Sequence, residues 1–236
     1  VSAESGCAVI GVPFVGGRFR GLSNLPSITP ATAVIIGGVD LTRMPWNPVT
    51  PAEVHRLFEA FPAPWWLAGG YAIELFVGRS FREHADIDVL LLRRDHLLAQ
   101  QALPGWEWWA ADPPGHLRPW RVGEVLPDAV HDIWCRPGPG EPWRLQLMVD
   151  NSDGPDWIAR PDPSLRRPIT SLGWPTPDGL PVLAPEIQLY YKSRNVRSKD
   201  VVDFDAALPL LTSEQRRWLV HAIADDHPWL DRLSKA

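Results

Sequence analysis

The chain has 236 residues, 45% hydrophobic and 22% charged, with 28 acidic residues against 23 lysines and arginines. That balance supplies a core and excludes a disordered chain, and a formal net charge of −5 lacks the basic excess of a general nucleic-acid binder. The two cysteines, Cys7 and Cys135, make no disulfide framework, and no apolar run approaches the ~20 residues of a membrane helix. The expectation is a cytoplasmic protein with no membrane partner.

Residues 1–43 mix small, glycine and apolar residues without a sustained period, and read as a disordered leader or as upstream sequence ahead of a start at Met44. Order is expected from Thr50. Thr50-Pro51-Ala52-Glu53 is a capping box with proline in the first turn, and Val54, Leu57 and Phe58 fall on one face of a helix reaching about Ala60. Trp65–Ala68 is an apolar strand. Gly69 and Gly70 open a short helix to Val77, and Gly78-Arg79-Ser80 turns the chain back. Asp86–Leu92 reads as a buried central strand with two carboxylates at its entry.

Further on, Arg94–Gln101 reads as a helix and Trp106–Ala110 as a strand, followed by a Pro- and Gly-rich loop over 111–128. His131–Cys135 and Trp143–Val149 are strands, and Asn151-Ser152-Asp153-Gly154 turns a hairpin into Trp157–Ala159. A second Pro-rich linker is expected over 161–184. Helical segments over 185–194, 199–208, 213–223 and 228–234 close the chain. This divides it into a leader (1–43), an α/β catalytic domain (44–160) and a linker with a small C-terminal helical region (161–236).

The chemistry concentrates between Gly69 and Asp88. Residues i and i+2 on a strand share a face, so Asp86 and Asp88 would present two carboxylates together, the hard oxygen ligands that Mg²⁺ prefers beside substrate phosphates. A glycine pair at a helix N-terminus offers backbone N–H groups and a positive dipole end to those phosphates. Either motif alone is weak. In this order, with an apolar strand directly after the second acid, they read as a metal–nucleotide site. A glycosyltransferase also uses D-x-D, but the preceding Gly-Gly helix does not suit it.

The order GG, helix, R-x-H-x-D-I-D-V resembles the DNA polymerase β-like nucleotidyltransferase superfamily, and within it the aminoglycoside-2″-adenylyltransferase and lincosamide nucleotidyltransferase group. Trp143–Asp150 (WRLQLMVD), Leu183–Lys192 (LAPEIQLYYK) and Lys199-Asp200…Asp203-Phe204 extend the resemblance. Tyr71 departs from it, since relatives often carry Trp there. The resemblance implies an α/β (α+β) fold, a polymerase β-like mixed sheet with flanking helices plus a small C-terminal helical region.

It further implies ATP or another NTP as co-substrate, with two Mg²⁺ ions held by Asp86, Asp88 and a third acid. Asp150 resembles that third acid, completing the site or deprotonating the acceptor, and Asp132 on the preceding strand is its rival. Gly69, Gly70, Arg82, His84 and Lys192 take the nucleotide-binding positions, His84 as a hydrogen-bond partner rather than a catalyst. Lys199, Asp200 and Asp203 read as helix-surface or inter-domain ion pairs. The acceptor would be a small, polyhydroxylated, cationic molecule of aminoglycoside type, with no nucleic acid. Two other readings stay open: a nucleotidyltransferase toxin acting on protein or tRNA, and an inactive nucleotide-binding relative. Most of the thirteen tryptophans read as core or domain-interface residues, and the sequence does not pick out an exception that would form a sugar-stacking platform.

Overall fold

The computed structural model describes residues 35–36 and 39–235. Most of the expected leader, Cys7 included, lies outside them. What is described of it begins with two short paired strands, β1 (Ile35–Ile36) and β2 (Val39–Asp40), and a 3-10 turn over Leu41–Arg43. Leu41 is buried, and its carbonyl accepts a hydrogen bond from the Trp143 indole at 3.2 Å. Packed structure therefore begins ahead of Met44.

Helix α1 (Pro51–Phe58) starts where its capping box dictates: the Thr50 hydroxyl accepts from the Glu53 N–H, and the Glu53 carboxylate accepts from the Thr50 N–H at 2.7 Å. It buries Val54 and Phe58; complete burial of such side chains stabilises by about 2 kcal/mol each. Strand β3 (Trp65–Ala68) leads directly into α2 (Gly69–Val77), which ends at Gly78 in the left-handed conformation. Strand β4 (Asp88–Leu92) follows, then α3 (His96–Ala102), β5 (Glu107–Ala111), β6 (Leu117–Pro119), β7 (Asp132–Arg136), β8 (Leu145–Asp153) and β9 (Asp156–Ile158).

The stretch 161–184 is not the linker its prolines suggest. It carries β10 (Arg166–Pro168), β11 (Gly173–Pro175) and β12 (Pro181–Leu183), and β12 pairs in parallel with β3. The prolines of these strands, Pro168, Pro175 and Pro181, sit at strand ends, where a missing N–H costs little of the ladder. Helices α4 (Pro185–Ser193), α5 (Ser198–Ala207), α6 (Ser213–Ala222) and α7 (Leu230–Lys235) complete the chain.

The result is an α+β fold, a mixed sheet flanked by helices, with strand order β11-β12-β3-β4-β8-β7-β5-β6 and β9 and β10 continuing from β8. Strand β4 runs antiparallel to β3 and parallel to β8, and Val89 to Leu92 are fully buried. The main core joins this sheet to Ile187, Leu189, Tyr190 and Phe204 of α4 and α5. A second cluster gathers Leu41, Trp109, Leu117 and Trp143, with Trp46 and Trp134 against it. Among the described residues no helix is long and apolar enough to cross a membrane.

Candidate active site

Strand order and register bring the polar residues together. Asp88 pairs with Gln146 on β8, and Gln146 pairs with Trp134 on β7; one row along, Met148 pairs with Asp132. Directly paired residues share a face, so Asp88, Gln146, Trp134, Met148 and Asp132 form one polar patch across three strands. The Gln146 amide donates to Asp132 Oδ1 at 3.0 Å. Asp86 lies two residues ahead of β4 rather than on it, yet it reaches the same cleft as Asp88.

That cleft has a volume of about 360 Å³ and lies between the sheet and the helical half. Gly69, Gly70, Asp86, Asp88, Gln146 and Met148 line it from one side; Gln188, Tyr191, Lys192, Arg194, Arg197 and Lys199 line it from the other, with Arg82 and Arg160 between. Carboxylates on the floor face a predominantly cationic wall.

The two glycines are required by close approach. Gly69 has φ +66°, and a Cβ there would lie 1.9 Å from Asp88 Oδ2. A Cβ on Gly70 would lie 2.1 Å from the Arg82 guanidinium and 2.5 Å from the His84 ring. The pair thus lets Asp88, Arg82 and His84 crowd onto the start of α2. The Gly69 N–H donates to Gln188 Oε1 at 2.7 Å, so this donor serves to dock α4 rather than standing open for a phosphate.

Burial drives the Asp88 carboxyl up to about 7, and the charges of Asp86 and Asp132 push the same way; Lys192 and Lys199 offset them only in part. A cluster of acids at this potential matches a hard divalent cation in donor type and in charge. Asp86 and Asp88 are therefore of the donor type that a divalent cation would take. No group of three or more His, Cys, Asp or Glu side chains is arranged as a closed metal site among the described residues.

Asp150 does not join the pair. It shares the strand face of Gln146 and Met148, as its parity implies, but it is fully buried and both oxygens are taken. Trp157 Nε1 and the Tyr191 hydroxyl donate to Oδ2 at 2.7 and 2.6 Å, and Arg160 Nε donates to Oδ1 at 2.6 Å. Its work is to hold Arg160 and Tyr191, which do face the cleft. Asp132 lies on the same sheet face as Asp88, and its charge adds to that of Asp86 in raising the Asp88 carboxyl.

His84 does not line the cleft: its ring stacks on Tyr71 at 4.1 Å and bonds Glu74 Oε2 at 2.9 Å, bracing the loop ahead of Asp86 as a hydrogen-bond partner. Arg82 and Lys192 line the cleft but are already engaged. Arg82 makes a two-pronged pair with Asp203, and Lys192 Nζ lies 2.9 Å from Asp200 and 2.7 Å from Asp203. Asp200 and Asp203 are fully buried rather than on a helix surface. Burial alone would raise the Asp200 carboxyl, but hydrogen bonds from Arg197 and Lys192 outweigh it and hold the group at about 2.

Sequence reading missed Gln146, Gln188, Arg160, Arg194 and Arg197. The basic stretch Arg194-Asn195-Val196-Arg197-Ser198-Lys199, running from the end of α4 into α5, was visible as three cations in six residues; the two glutamines and Arg160 carry no local signal.

Residues 52–104, the segment holding Gly69, Gly70, Asp86 and Asp88, match the model of the aminoglycoside-2″-adenylyltransferase family. The match covers less than a quarter of the chain. The family is one of nucleotidyl-transferring enzymes, in keeping with the resemblance carried by the motif. Among solved structures the chain is similar to the lincosamide antibiotic adenylyltransferase LnuA in its lincomycin-bound form, at 19% identity over 68% of this chain and 97% of that one, with a TM-score of 0.46. It is also similar to ANT(2″)-Ia in complex with adenylyl-2″-tobramycin, at 15% identity over 72% and 93%, TM-score 0.45. An antigenic nucleotidyltransferase-like protein from Paracoccidioides brasiliensis gives 16% over 78% and 90%, TM-score 0.41. No curated protein sequence matches the chain.

Proposed function

We propose that this protein transfers a nucleoside monophosphate, AMP in the first instance, from an NTP to a hydroxyl of a small antibiotic-like molecule of aminoglycoside type. The observation that carries the reading is the placement of Asp86 and Asp88 beneath a cationic cleft, with Asp132 coupled to Asp88 on the same face. The triphosphate lies along the wall of Arg194, Arg197 and Lys199, whose charges oppose its own. Asp86 and Asp88 are the residues that would hold Mg²⁺, which when bound would neutralise charge on the substrate phosphates.

Asp132 serves as the base. It accepts the proton of the acceptor hydroxyl as that oxygen bonds to the α-phosphorus, while the bond between the α-phosphorus and the bridging oxygen breaks and pyrophosphate leaves. Arg160, held by Asp150, and Lys192, held by Asp200 and Asp203, are fixed before substrate arrives, so little reorganisation accompanies reaction. The test is incubation with each NTP, Mg²⁺ and a panel of aminoglycosides and lincosamides, following pyrophosphate release. Release that requires both NTP and acceptor is the expected result; NTP binding without release for any acceptor overturns the proposal.

A further inference from the structure

One tryptophan is set apart from the others by its surroundings. Trp134 meets Trp46 at 5.1 Å and Trp143 at 5.6 Å, both nearly perpendicular, at 71° and 72°. Edge-to-face contacts of this kind fix a ring's orientation. Trp143 is fully buried, whereas Trp134 stays partly exposed and forms a wall of a second cavity of about 400 Å³. Ala111, His116, Leu117, Asp132 and Gln146 line the same space. Gln146 also lines the cleft that holds Asp88, so the two spaces share that residue.

The polar and apolar parts of this cavity are separated. Trp134, Leu117 and Ala111 offer apolar surface, while Gln146, which also lines the cleft, and Asp132, hydrogen-bonded to it, supply the polar part. His116 Nδ1 is buried without a hydrogen-bond partner, although buried polar atoms are nearly always paired. A bound group bearing a donor or acceptor would satisfy it. The volume is that of a small-molecule site.

We propose that this cavity seats the acceptor, and that Trp134 and His116 are its specificity-determining residues; the proposal rests on the nucleotidyl-transfer reading above. The ligand is a polyhydroxylated ring of saccharide type. Its C–H face lies on the Trp134 indole, one hydroxyl or amine bonds His116 Nδ1, and the reacting hydroxyl is directed to Asp132. A saccharide ring suits the site because it combines an apolar face with a polar edge, as the cavity does.

Two substitutions test this by different routes. Ala111→Leu fills the cavity while leaving the Trp134 ring in place, and because Ala111 also packs against the tryptophan cluster its melting temperature shows whether that packing survives; Trp134→Leu removes the stacking face, with Trp134→Phe as partial rescue. Acceptor KM with tobramycin and with lincomycin as probes, MgATP affinity and melting temperature are measured for each. The expected result is an acceptor KM raised about tenfold in Ala111→Leu and Trp134→Leu, less in Trp134→Phe, on the scale of a lost aromatic contact, with MgATP affinity unchanged. If the wild type modifies a probe and a folded Ala111→Leu protein keeps its KM, the cavity assignment is wrong while the reaction stands. If the wild type modifies neither probe, the reaction itself is overturned and the assignment falls with it.

Discussion

Arg82 and Asp203 are 121 residues apart in the chain, yet they form a two-pronged ion pair with N–O distances of 2.5 and 2.8 Å. The pair ties the loop that delivers Asp86 and Asp88 to helix α5. Asp203 also contacts Lys192, and Lys192 contacts Asp200, so one buried chain of charges spans the two halves of the cleft.

Asp203→Asn removes a buried charge that meets two cations. Leaving Arg82 and Lys192 short of a partner is expected to cost about 3 kcal/mol or more, at the scale of breaking a buried pair from one side. Denaturant unfolding checks this. A change below about 0.5 kcal/mol, typical of a surface site, would contradict the buried network.

The Asp88 carboxyl predicts a pH dependence for metal binding. Its folded value, about 7, lies above the ordinary 3.8, so the folded protein holds a proton that the unfolded chain has released between those values. The metal-free protein therefore loses stability as pH rises from about 4 to about 7. A cation must displace that proton, so Mg²⁺ affinity should tighten over the same rise and level off above it. Isothermal titration across the range measures it, and Asp88→Asn should flatten the curve.

Asp132→Asn and Asp150→Asn should separate catalysis from folding. Asp132→Asn is expected to lose activity by about 10²-fold or more, on the scale of a general base, with little change in melting temperature. Asp150→Asn weakens the anchorage of Arg160, Trp157 and Tyr191 and should destabilise the protein by about 3 kcal/mol. Parallel kinetics and unfolding curves decide the pair, and the reverse pattern would restore Asp150 as the third acid.

Gly69→Ala should be folded but inactive. Its Cβ would meet Asp88 Oδ2 at 1.9 Å and strain a backbone at φ +66°. Activity should fall far more than stability, since the displaced atom belongs to the proposed metal ligand. Gly105→Ala is a control: φ is +84°, and its Cβ would meet nothing within 4 Å.

Local signals were the legible part of this chain. The Thr50 capping box, the strand at Trp65 and the Gly69–Asp88 motif are written in adjacent residues, and each element formed where its residues place it. Strand parity correctly put Asp150 on the face of Gln146. What parity lacks is the cover: Trp157, Arg160 and Tyr191 arrive from later elements and enclose that carboxylate. The expected inter-domain ion pairs formed, Asp203 with Arg82 and Lys199 with Asp86, but the same limit hid how deeply Asp200 and Asp203 are buried. Proline content misread 161–184, because strand ends tolerate proline as linkers do. The boundary at Met44 failed for a similar reason, since Leu41 packs on a tryptophan about a hundred residues away.

The most direct test of the central claim is the mass of the acceptor after incubation with MgATP and each protein. The wild type should add one nucleoside monophosphate to the acceptor while releasing pyrophosphate, and a folded Asp88→Asn protein should add on the order of 10²-fold less or nothing. An unmodified acceptor with the wild type, or an equal yield from Asp88→Asn, would contradict nucleotidyl transfer at the Asp86–Asp88 site.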